Sequence, residues 1–250
     1  MIKEFAFSIA NRHHFQDAEK AKDWMGLEAD TYMSLYNYND YVIEYYGVNK
    51  TLSGFDGPIY MPDEFLLDVD GSDPEKARLK VVLLTVILEG LNIPYKTYFS
   101  GTGFHLGIPG NAFKWKASDD LHLKVKHALN KEGIFEHADP SVTDKTRIIR
   151  LLNTKNTKSG LYKVQIPDEW IYEAVPMEKI YEYAKNYIGE MEKIIEEDDN
   201  WVGHQDLSTG GRLIYYTKYK DYGEIYELLD ISNEEYVDFT LQEEVEEMIF

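Results

Sequence analysis

Glu64-Phe65-Leu66-Leu67-Asp68-Val69-Asp70 is the stretch that decides the fold. It is an apolar run that ends in two carboxylates two positions apart, and Gly71 follows at once. Alternate residues of a β-strand share one face of the sheet, so we expect Asp68 and Asp70 to point together into one site. Two convergent carboxylates supply the oxygen ligands that Mg²⁺ or Mn²⁺ prefers. An isolated Asp-x-Asp is more often a turn at a strand end, so the rest of the chain has to decide.

The segments that follow predict an α+β core over residues 61–166. Asp73-Pro74 is typical of a helix start, and Gly101-Thr102-Gly103 is typical of a hairpin turn. The predicted elements are a strand over 65–70, a helix over 73–91, strands over 95–100 and 104–108, a helix over 118–130 and a strand over 134–137. This βαββαβ order is that of an RRM-like (ferredoxin-like) fold.

In that topology the expected strand order is 4-1-3-2, which brings distant polar residues together. Asp68 and Asp70 end the first strand, His105 lies on the neighbouring third strand, and Asp139 follows the fourth. A lone histidine is more often a buried, hydrogen-bonded residue than a ligand, and Asp139-Pro140 is a common turn opener. Their meeting on one sheet face would indicate a site, and this expectation depends on the topology.

Further segments surround this core. Residues 1–60, rich in tyrosine, predict an N-terminal α+β module, and two more strands are expected at 147–152 and 161–166. Pro176 predicts the start of a long amphipathic helix. Its apolar face comprises Ile180, Ala184, Tyr187, Met191 and Ile194. Residues 167–250 are expected to form an acidic C-terminal extension with candidate strands at 212–219 and 224–229, and the whole chain to form a single compact catalytic unit.

The charge of the chain is unevenly distributed. The 250 residues carry a net charge of -19, which by itself argues against a nucleic-acid partner. Residues 1–110 have a net charge of -7, residues 111–165 of +5 and residues 166–250 of -17. On charge alone a small positive excess is more often solvated surface, but it can also mark where a phosphate backbone lies.

The absence of cysteine excludes disulfides, thiolate nucleophiles and cysteine-ligated zinc. The longest apolar run, Val81–Leu88, is too short to span a bilayer, and the first residues lack the apolar segment of a secretory signal. We therefore expect no membrane association and a cytoplasmic location, in a prokaryotic host or one that carries a virus or plasmid.

Several of these motifs together resemble the archaeo-eukaryotic primase superfamily, most of all its virus- and plasmid-type primase-polymerases. The segments that carry the resemblance are Leu66–Asp70, the Ser100–His105 hairpin, Asp139, Arg147–Arg150 and the basic loop 153–163. The resemblance covers residues 60–166 closely and residues 30–60 more loosely. It implies a DNA primase, a DNA polymerase or both, which transfers nucleotides by two-metal catalysis.

The resemblance also implies residue roles. Two Mg²⁺ or Mn²⁺ ions, and no zinc, would be bound by Asp68, Asp70 and Asp139 as catalytic residues. Nucleotide contacts would come from Ser100, Gly101, His105, Arg150 and Lys163. Template contacts would come from Arg147, Lys155 and Lys158, with Lys114 and Lys116 nearby. Arg147 could instead order the acidic site. The expected partners are single-stranded DNA, (d)NTPs and a helicase or other replication or defence protein supplied by another chain.

Two features depart from the family. Many relatives carry a cysteine-ligated zinc element, which this chain cannot have, and the last third is strongly acidic. Both make primer initiation less expected than polymerisation. Two alternatives stay open: a catalytically silent nucleic-acid-binding module of the same fold, and an Mn²⁺-dependent Asp-x-Asp nucleotide-sugar transferase. The transferase accounts for the first motif but not for the Ser100–His105 hairpin or the arginine pair.

Overall fold

The computed structural model describes residues 1–172 and 175–186, which form a mixed α+β structure with two antiparallel sheets. The strands are β1 (Ile2–Ala6), β2 (His14–Asp17), β3 (Tyr32–Ser34), β4 (Asn37–Tyr38), β5 (Ile59–Tyr60), β6 (Glu64–Val69), β7 (Lys96–Phe99), β8 (Phe104–Pro109), β9 (Ile148–Arg150) and β10 (Val164–Ile166). The α-helices are α1 (Tyr41–Asn49), α2 (Pro74–Gly90), α3 (Leu121–Lys131) and α4 (Met177–Tyr183). Short 3₁₀ turns lie at Ala18–Trp24, Gly110–Phe113, Ile134–Glu136, Pro140–Thr143 and Asp168–Ile171.

The first sheet has the order β5-β4-β1-β3-β9, and β2 also pairs with β1. All five residues of β1 are buried, so this strand lies at the centre of the N-terminal part. The expected α+β character of residues 1–60 is confirmed. However, β9, which the sequence assigned to the 61–166 core, pairs with β3, so that Tyr32 lies opposite Arg150. The first sheet is therefore completed by a strand from more than a hundred residues further along the chain.

The second sheet has the order β10-β7-β8-β6. Its burial pattern follows from the sequence, because Phe65, Leu67 and Val69 alternate into the core of β6 while Asp68 occupies the other face. Asp73 accepts a hydrogen bond from the backbone N–H of Lys76 at 2.9 Å and caps α2 as expected. The predicted strand, helix, hairpin and second helix are all confirmed, as is the adjacency of the first and third predicted strands.

The predicted fourth strand over 134–137 is wrong. Gly133, at φ 72°, ends α3, and Ile134–Glu136 forms a 3₁₀ turn whose carbonyl at Ile134 accepts from the N–H groups of His137 and Ala138. Backbone groups used in this local turn are not free to form a sheet ladder. The chain nevertheless passes the end of β6, because the N–H of Asp139 donates to the carbonyl of Asp68 at 2.9 Å.

One hydrophobic cluster joins both sheets to the four α-helices. The start of α4 after Pro176 is confirmed, and Met177, Ile180 and Ala184 are buried. The remaining predicted face residues (Tyr187, Met191 and Ile194), the candidate strands at 212–219 and 224–229 and most of the acidic extension lie outside the described residues. In the described part of the chain, no helix combines the length and apolar character that crossing a membrane requires.

Candidate functional site

A cavity of about 420 Å³ lies where the two sheets meet. The second sheet contributes Asp68, Asp70, Ser100 and His105, which we call the acidic wall. The first sheet and its loops contribute Arg12, Tyr32, Arg147 and Arg150, which we call the arginine wall. Three arginines thus line the same space as three aspartates, because Asp144 lines it as well. The volume falls in the range of roughly 300–1,000 Å³ that is usual for small-molecule sites.

Asp68 is the most tightly held carboxylate of the acidic wall. In the β6–β8 ladder it lies directly opposite His105, whose Nε2 is 3.5 Å from Asp68 Oδ1. The other oxygen, Oδ2, accepts a hydrogen bond from Arg147 Nη2 at 3.1 Å. Burial by itself disfavours the charged form, but the contacts with His105 and Arg147 outweigh it and lower the pKa of Asp68 to about 2. Asp68 is therefore an anion at neutral pH.

His105 is buried beside Asp68, with 4% of its surface exposed. Burial, together with the nearby charge of Lys163, lowers the pKa of His105 to about 4. The imidazole is therefore neutral at pH 7, and its contact with Asp68 is that of a polar neutral group with a carboxylate. Its Nε2 faces Asp68, and its Nδ1 is buried without a hydrogen-bond partner among the described residues.

Asp70 differs from its neighbour two residues away. It is exposed, and no hydrogen-bond donor contacts its side chain within residues 1–172 and 175–186. Partial burial of the carboxyl group and the negative charges of Asp68 and Asp139 raise the pKa of Asp70. The positive charges of Lys80 and Arg147 offset this effect only in part. A carboxylate that is crowded by like charges and forms no direct ion pair is suited to bind an added cation.

Asp139 reaches the same site from the opposite side. Its Oδ1 accepts from the N–H of Ser141 at 2.9 Å, and its Oδ2 accepts from Arg147 Nη2 at 3.2 Å. Arg147 Nη2 therefore bridges Asp139 and Asp68, while Nη1 donates to Ser141 Oγ at 2.8 Å. The guanidinium orders the acidic site, which is the alternative to a template contact that the sequence left open for Arg147.

The carboxylates fit a hard divalent cation in the chemistry of their oxygens. Within the described residues, no group of three or more His, Cys, Asp or Glu side chains is arranged to hold a metal ion. Arg147 lies between two of the carboxylates, with Nη2 at 3.1 Å from Asp68 Oδ2 and 3.2 Å from Asp139 Oδ2. A cation that bridges these two carboxylates has to displace Arg147, whereas Asp70 is open to a cation as it stands.

The β7–β8 hairpin brings Ser100 into the cavity, and two glycines allow this. Gly101 has φ 98°, and a Cβ there would lie 2.7 Å from Asn156 Cβ. A Cβ on Gly103 would lie 2.9 Å from Asp70 Oδ1. Ser100 Oγ accepts from the N–H of Gly103 at 3.1 Å. The glycines therefore let the hairpin close against both β6 and the 153–163 loop.

Arg150 lines the cavity, but its guanidinium is already bound. It donates to Asp30 Oδ1 at 2.6 Å and to the hydroxyl of Tyr32 at 3.1 Å, and it lies 5.0 Å from the centre of the Tyr32 ring. Burial opposes the charged form of Asp30, but hydrogen bonds from Thr157 and Arg150 lower the pKa of Asp30. Arg150 is thereby fixed with one face towards the cavity.

Lys163, a predicted nucleotide contact, is not at the cavity surface. It is 1% exposed, and its Nζ donates to the carbonyl of Arg150 at 2.9 Å. The ammonium lies 5.2 Å from the centre of the Tyr98 ring. Burial lowers the pKa of Lys163 to about 7. Lys163 therefore contacts the backbone of Arg150 from the buried side of the arginine wall.

The predicted template residues differ in exposure. Lys155 Nζ is 3.5 Å from Glu28 Oε2, so this lysine is paired. Lys158, Lys114 and Lys116 are exposed, and none of the three lines the cavity. Lys158 lies two residues after Asn156, which does line the cavity, and its backbone N–H donates to Asn156 Oδ1 at 3.1 Å.

Sequence reasoning missed Arg12, Tyr32 and Asn156 in the cavity. Arg12 and Tyr32 lie in the N-terminal module, and no local motif distinguishes them from other surface residues. Asn156 is inside the predicted basic loop, but the contacts predicted in that loop were its lysines. Only the pairing of β3 with β9 brings Tyr32 to the site.

No protein-family model matches the chain. No curated protein matches it significantly either.

Proposed function

We propose that this protein is a template-directed nucleotidyltransferase, a DNA primase, DNA polymerase or both, of the archaeo-eukaryotic primase superfamily. One observation carries the proposal: Asp68 and Asp70, at the end of β6, line one cavity with His105 and three arginines, and Arg147 joins Asp68 to Asp139. Carboxylates opposite guanidiniums suit a triphosphate that is held by divalent cations on one side and by arginines on the other. The 61–166 core would then be an RRM-like core whose fourth strand is reduced to a turn.

Two Mg²⁺ or Mn²⁺ ions would be bound by Asp68, Asp70 and Asp139. When bound, such ions lower the pKa of an attacking 3′-hydroxyl and neutralise charge on the phosphates. Asp70 is the most accessible of the three oxygen donors, since no protein donor contacts its side chain among the described residues. Asp68 stays ionised across the neutral range because of its lowered pKa.

The remaining residues would bind and orient the nucleotide. Arg147, released from the carboxylates, has its planar donor fork available for phosphate oxygens, and Arg150 presents a second fork that Asp30 holds in place. His105 is neutral, so it can donate a hydrogen bond to a phosphate oxygen without repelling the cations. Ser100 offers a hydroxyl on the same wall.

The proposed partners follow from the chemistry. A templated reaction needs single-stranded DNA and (d)NTPs, and unwinding of a duplex would come from a helicase or another replication or defence protein on a separate chain. Exposed Lys158 and the basic segment 111–165 are the candidate contacts for the strand.

A catalytically silent nucleic-acid-binding module is the second candidate. The observation that favours it is the bridge from Arg147 to Asp68 and Asp139, which satisfies these carboxylates without a metal. The carboxylate of Asp70 favours the enzyme, because it is crowded by Asp68 and Asp139 and forms no ion pair among the described residues, which a silent module would not need.

A gel assay tests the proposal. The purified protein is incubated with Mn²⁺ or Mg²⁺, labelled nucleotides and a single-stranded DNA template, with and without an annealed primer. We expect extension of the primer that EDTA stops. DNA binding without incorporation under any of these conditions would support the silent module, and incorporation only without a primer would identify a primase.

A further inference from the structure

Arg147 reaches the acidic wall from a turn over residues 144–147, which belongs to neither a helix nor a strand. Within the turn, the N–H of Arg147 donates to the carbonyl of Asp144 at 2.9 Å. One local bond of this kind leaves the orientation of the turn relative to the first sheet open. The contacts that attach the turn to that sheet therefore decide whether the guanidinium can bridge Asp68 and Asp139.

Three consecutive carbonyls of the turn, those of residues 145–147, are bound by three separate segments of the N-terminal module. The first accepts from the hydroxyl of Tyr38 at 3.1 Å, the second from Arg12 Nη2 at 2.9 Å and the third from the N–H of Leu35 at 2.9 Å. Two of these three donors are side chains. The position of the turn therefore depends on the identity of residues 12 and 38.

Arg12 is fixed by a buried carboxylate. Glu4 is fully buried in β1, and it accepts hydrogen bonds from Arg12 Nε at 2.9 Å and Nη2 at 2.8 Å. It also accepts from the N–H of His13 at 3.1 Å. His13 has φ 75°, a conformation that residues other than glycine rarely adopt. The loop after β1 is thus bent so that both donors reach one carboxylate.

Tyr38 supplies a donor that the core does not require. None of its surface is exposed, and its ring packs edge-on against Phe55 with 5.6 Å between the ring centres. A phenylalanine ring would fill the same space. Burial raises the pKa of Tyr38, so the hydroxyl stays protonated at neutral pH and donates to the turn.

The pair of Glu4 and Arg12 is also more than core packing requires. Burying two charges is costly, and apolar side chains of similar volume often replace such a pair without loss of stability. A guanidinium, in contrast, has a planar set of donors with fixed directions, so it can hold a carboxylate and a carbonyl at the same time. These contacts specify a position.

We propose that Arg12, held by Glu4, and Tyr38 are positioning residues for Arg147. They fix residues 144–147 so that the Arg147 guanidinium lies between the two carboxylates that it bridges. Loss of either donor lets the turn shift and releases the guanidinium. What the bridge does in catalysis rests on the proposed function, whereas the position of Arg147 does not.

The test follows the guanidinium of Arg147 in the metal-free full chain by ¹⁵N NMR of the arginine side chains. The chain has five arginines, and the signals of Arg147 are those that Arg147→Gln removes. Nη1 is bound to Ser141 and Nη2 to the carboxylates, so slow rotation about the Nε–Cζ bond should keep the two Nη signals separate. Tyr38→Phe should merge them into one averaged signal.

Tyr45→Phe is the matched control. The hydroxyl of Tyr45 also donates to a backbone carbonyl, that of Ser53 at 3.0 Å, and Tyr45 does not line the cavity. This variant should keep the two Nη signals of Arg147 separate, as in the wild type.

A second variant combines Glu4→Gln with Arg12→Met. It removes the charged donor without leaving a buried charge unpaired. The amide introduced at position 4 can still accept from the N–H of His13. The Nη signals of Arg147 should merge in this variant as well. If it does not fold, Tyr38→Phe and its control decide the matter.

Glu75→Gln combined with Arg78→Met is the control for the second variant. Arg78 is buried, pairs with Glu75 and donates to the carbonyl of Val175 at 2.6 Å, so the same kind of contact is removed. Neither residue lines the cavity. The Arg147 signals should stay separate.

Mn²⁺ binding, measured by electron paramagnetic resonance, is a readout that a merely structural role would not move. Release of Arg147 should tighten Mn²⁺ binding in Tyr38→Phe by about threefold, since a positive charge leaves the carboxylates. In the Arg147→Gln background, Tyr38→Phe should have no further effect, because two changes that act through one residue do not add.

The outcomes separate this proposal from the proposed function. Separate Arg147 signals in Tyr38→Phe and in the folded combined variant would overturn the positioning role, even if the wild type incorporates nucleotides. Merged signals in the wild type would overturn it too, because Arg147 would then not be fixed. Merging in the two variants, without Mn²⁺ binding or incorporation by any protein, would leave the positioning role standing and remove the enzyme.

Discussion

The arginine wall and the acidic wall of the cavity differ in whether their charged side chains form ion pairs. On the arginine wall, each guanidinium has an acidic partner: Glu4 for Arg12, Asp30 for Arg150, and Asp68 with Asp139 for Arg147. On the acidic wall, Asp70 forms no direct ion pair among the described residues, and the charges of Lys80 and Arg147 only partly offset those of its acidic neighbours.

The difference shows which groups are already satisfied and which need a ligand. Paired arginines are fixed in place and carry little net charge to attract an anion, so their contribution is geometric. Asp70 is repelled by its acidic neighbours, and an added cation relieves that repulsion. In the proposed function, a cation at Asp70 would therefore bind without breaking an existing ion pair.

The largest effect is expected when the charge of Asp70 is removed, because Asp70 is the carboxylate of the acidic wall that forms no ion pair among the described residues. Asp70→Asn should reduce nucleotide incorporation below detection at every Mg²⁺ or Mn²⁺ concentration, because a neutral amide is a poor ligand for a divalent cation. Since the pKa of Asp70 is raised, its charge opposes folding, and the variant should melt at the same or a higher temperature. Asp144→Asn, at another acid that lines the cavity, is the control and should retain activity. Wild-type extension by Asp70→Asn would refute the metal assignment.

A second test removes the guanidinium of Arg147, which contacts Asp68 and Asp139 and so joins the two walls. Arg147→Gln should tighten Mn²⁺ binding in the absence of nucleotide by about tenfold, because one positive charge near the carboxylates is lost. The variant should also incorporate nucleotides more slowly. Mn²⁺ binding can be followed by electron paramagnetic resonance.

Arg150→Gln is the matched control for this variant, because its guanidinium pairs with Asp30 rather than with the metal-site carboxylates. It should leave Mn²⁺ affinity nearly unchanged. Weaker Mn²⁺ binding by Arg147→Gln would show that Arg147 supports the metal site instead of competing for it.

The third test concerns Lys163, which lies behind both walls. Its pKa is lowered to about 7 by burial, so above that pH the unfolded chain binds more protons than the native one, and stability rises with pH towards the ordinary lysine pKa. Denaturant unfolding from pH 7.5 to 9.5 should show a rise of about 1 kcal/mol or more that is smaller in Lys163→Met. Lys3, whose pKa is also lowered to about 7, should keep part of the rise. Exposed Lys96→Met should not change it, and an unchanged slope in Lys163→Met would contradict the burial of its charge.

The smallest effect is expected at two lysines of the 153–163 loop. Lys158 has no ion-pair partner among the described residues, whereas Lys155 is paired with Glu28. Lys158→Gln should weaken single-stranded DNA binding about twofold and lower the slope of log affinity against log salt by less than one unit. Lys155→Gln should have less effect, because Glu28 already balances that lysine. Binding titrations at several salt concentrations measure both, and a larger effect at Lys155 would mean that DNA displaces Glu28.

Much of the second sheet could be predicted because its signals are local. Alternating apolar residues mark β6, Asp73-Pro74 marks the start of α2, and the two glycines mark the β7–β8 turn. The fourth strand failed because Ile134 and Phe135 are as typical of a strand as of the 3₁₀ turn that they form after Gly133. The assignment of Lys163 to the cavity failed because a lysine carries no local signal that it will be buried.

The sequence by itself determined the acidic wall, since Asp68 and Asp70 share a strand face and His105 lies opposite Asp68 in a hairpin-linked ladder. Only the tertiary structure decided the arginine wall. Arg150 reaches the cavity through the pairing of β9 with β3, and Arg12 through a buried glutamate on β1. Strand periodicity is a property of neighbouring residues and can be deduced from the chain, whereas the pairing of distant strands and the burial of a charge depend on the free energy of the whole fold.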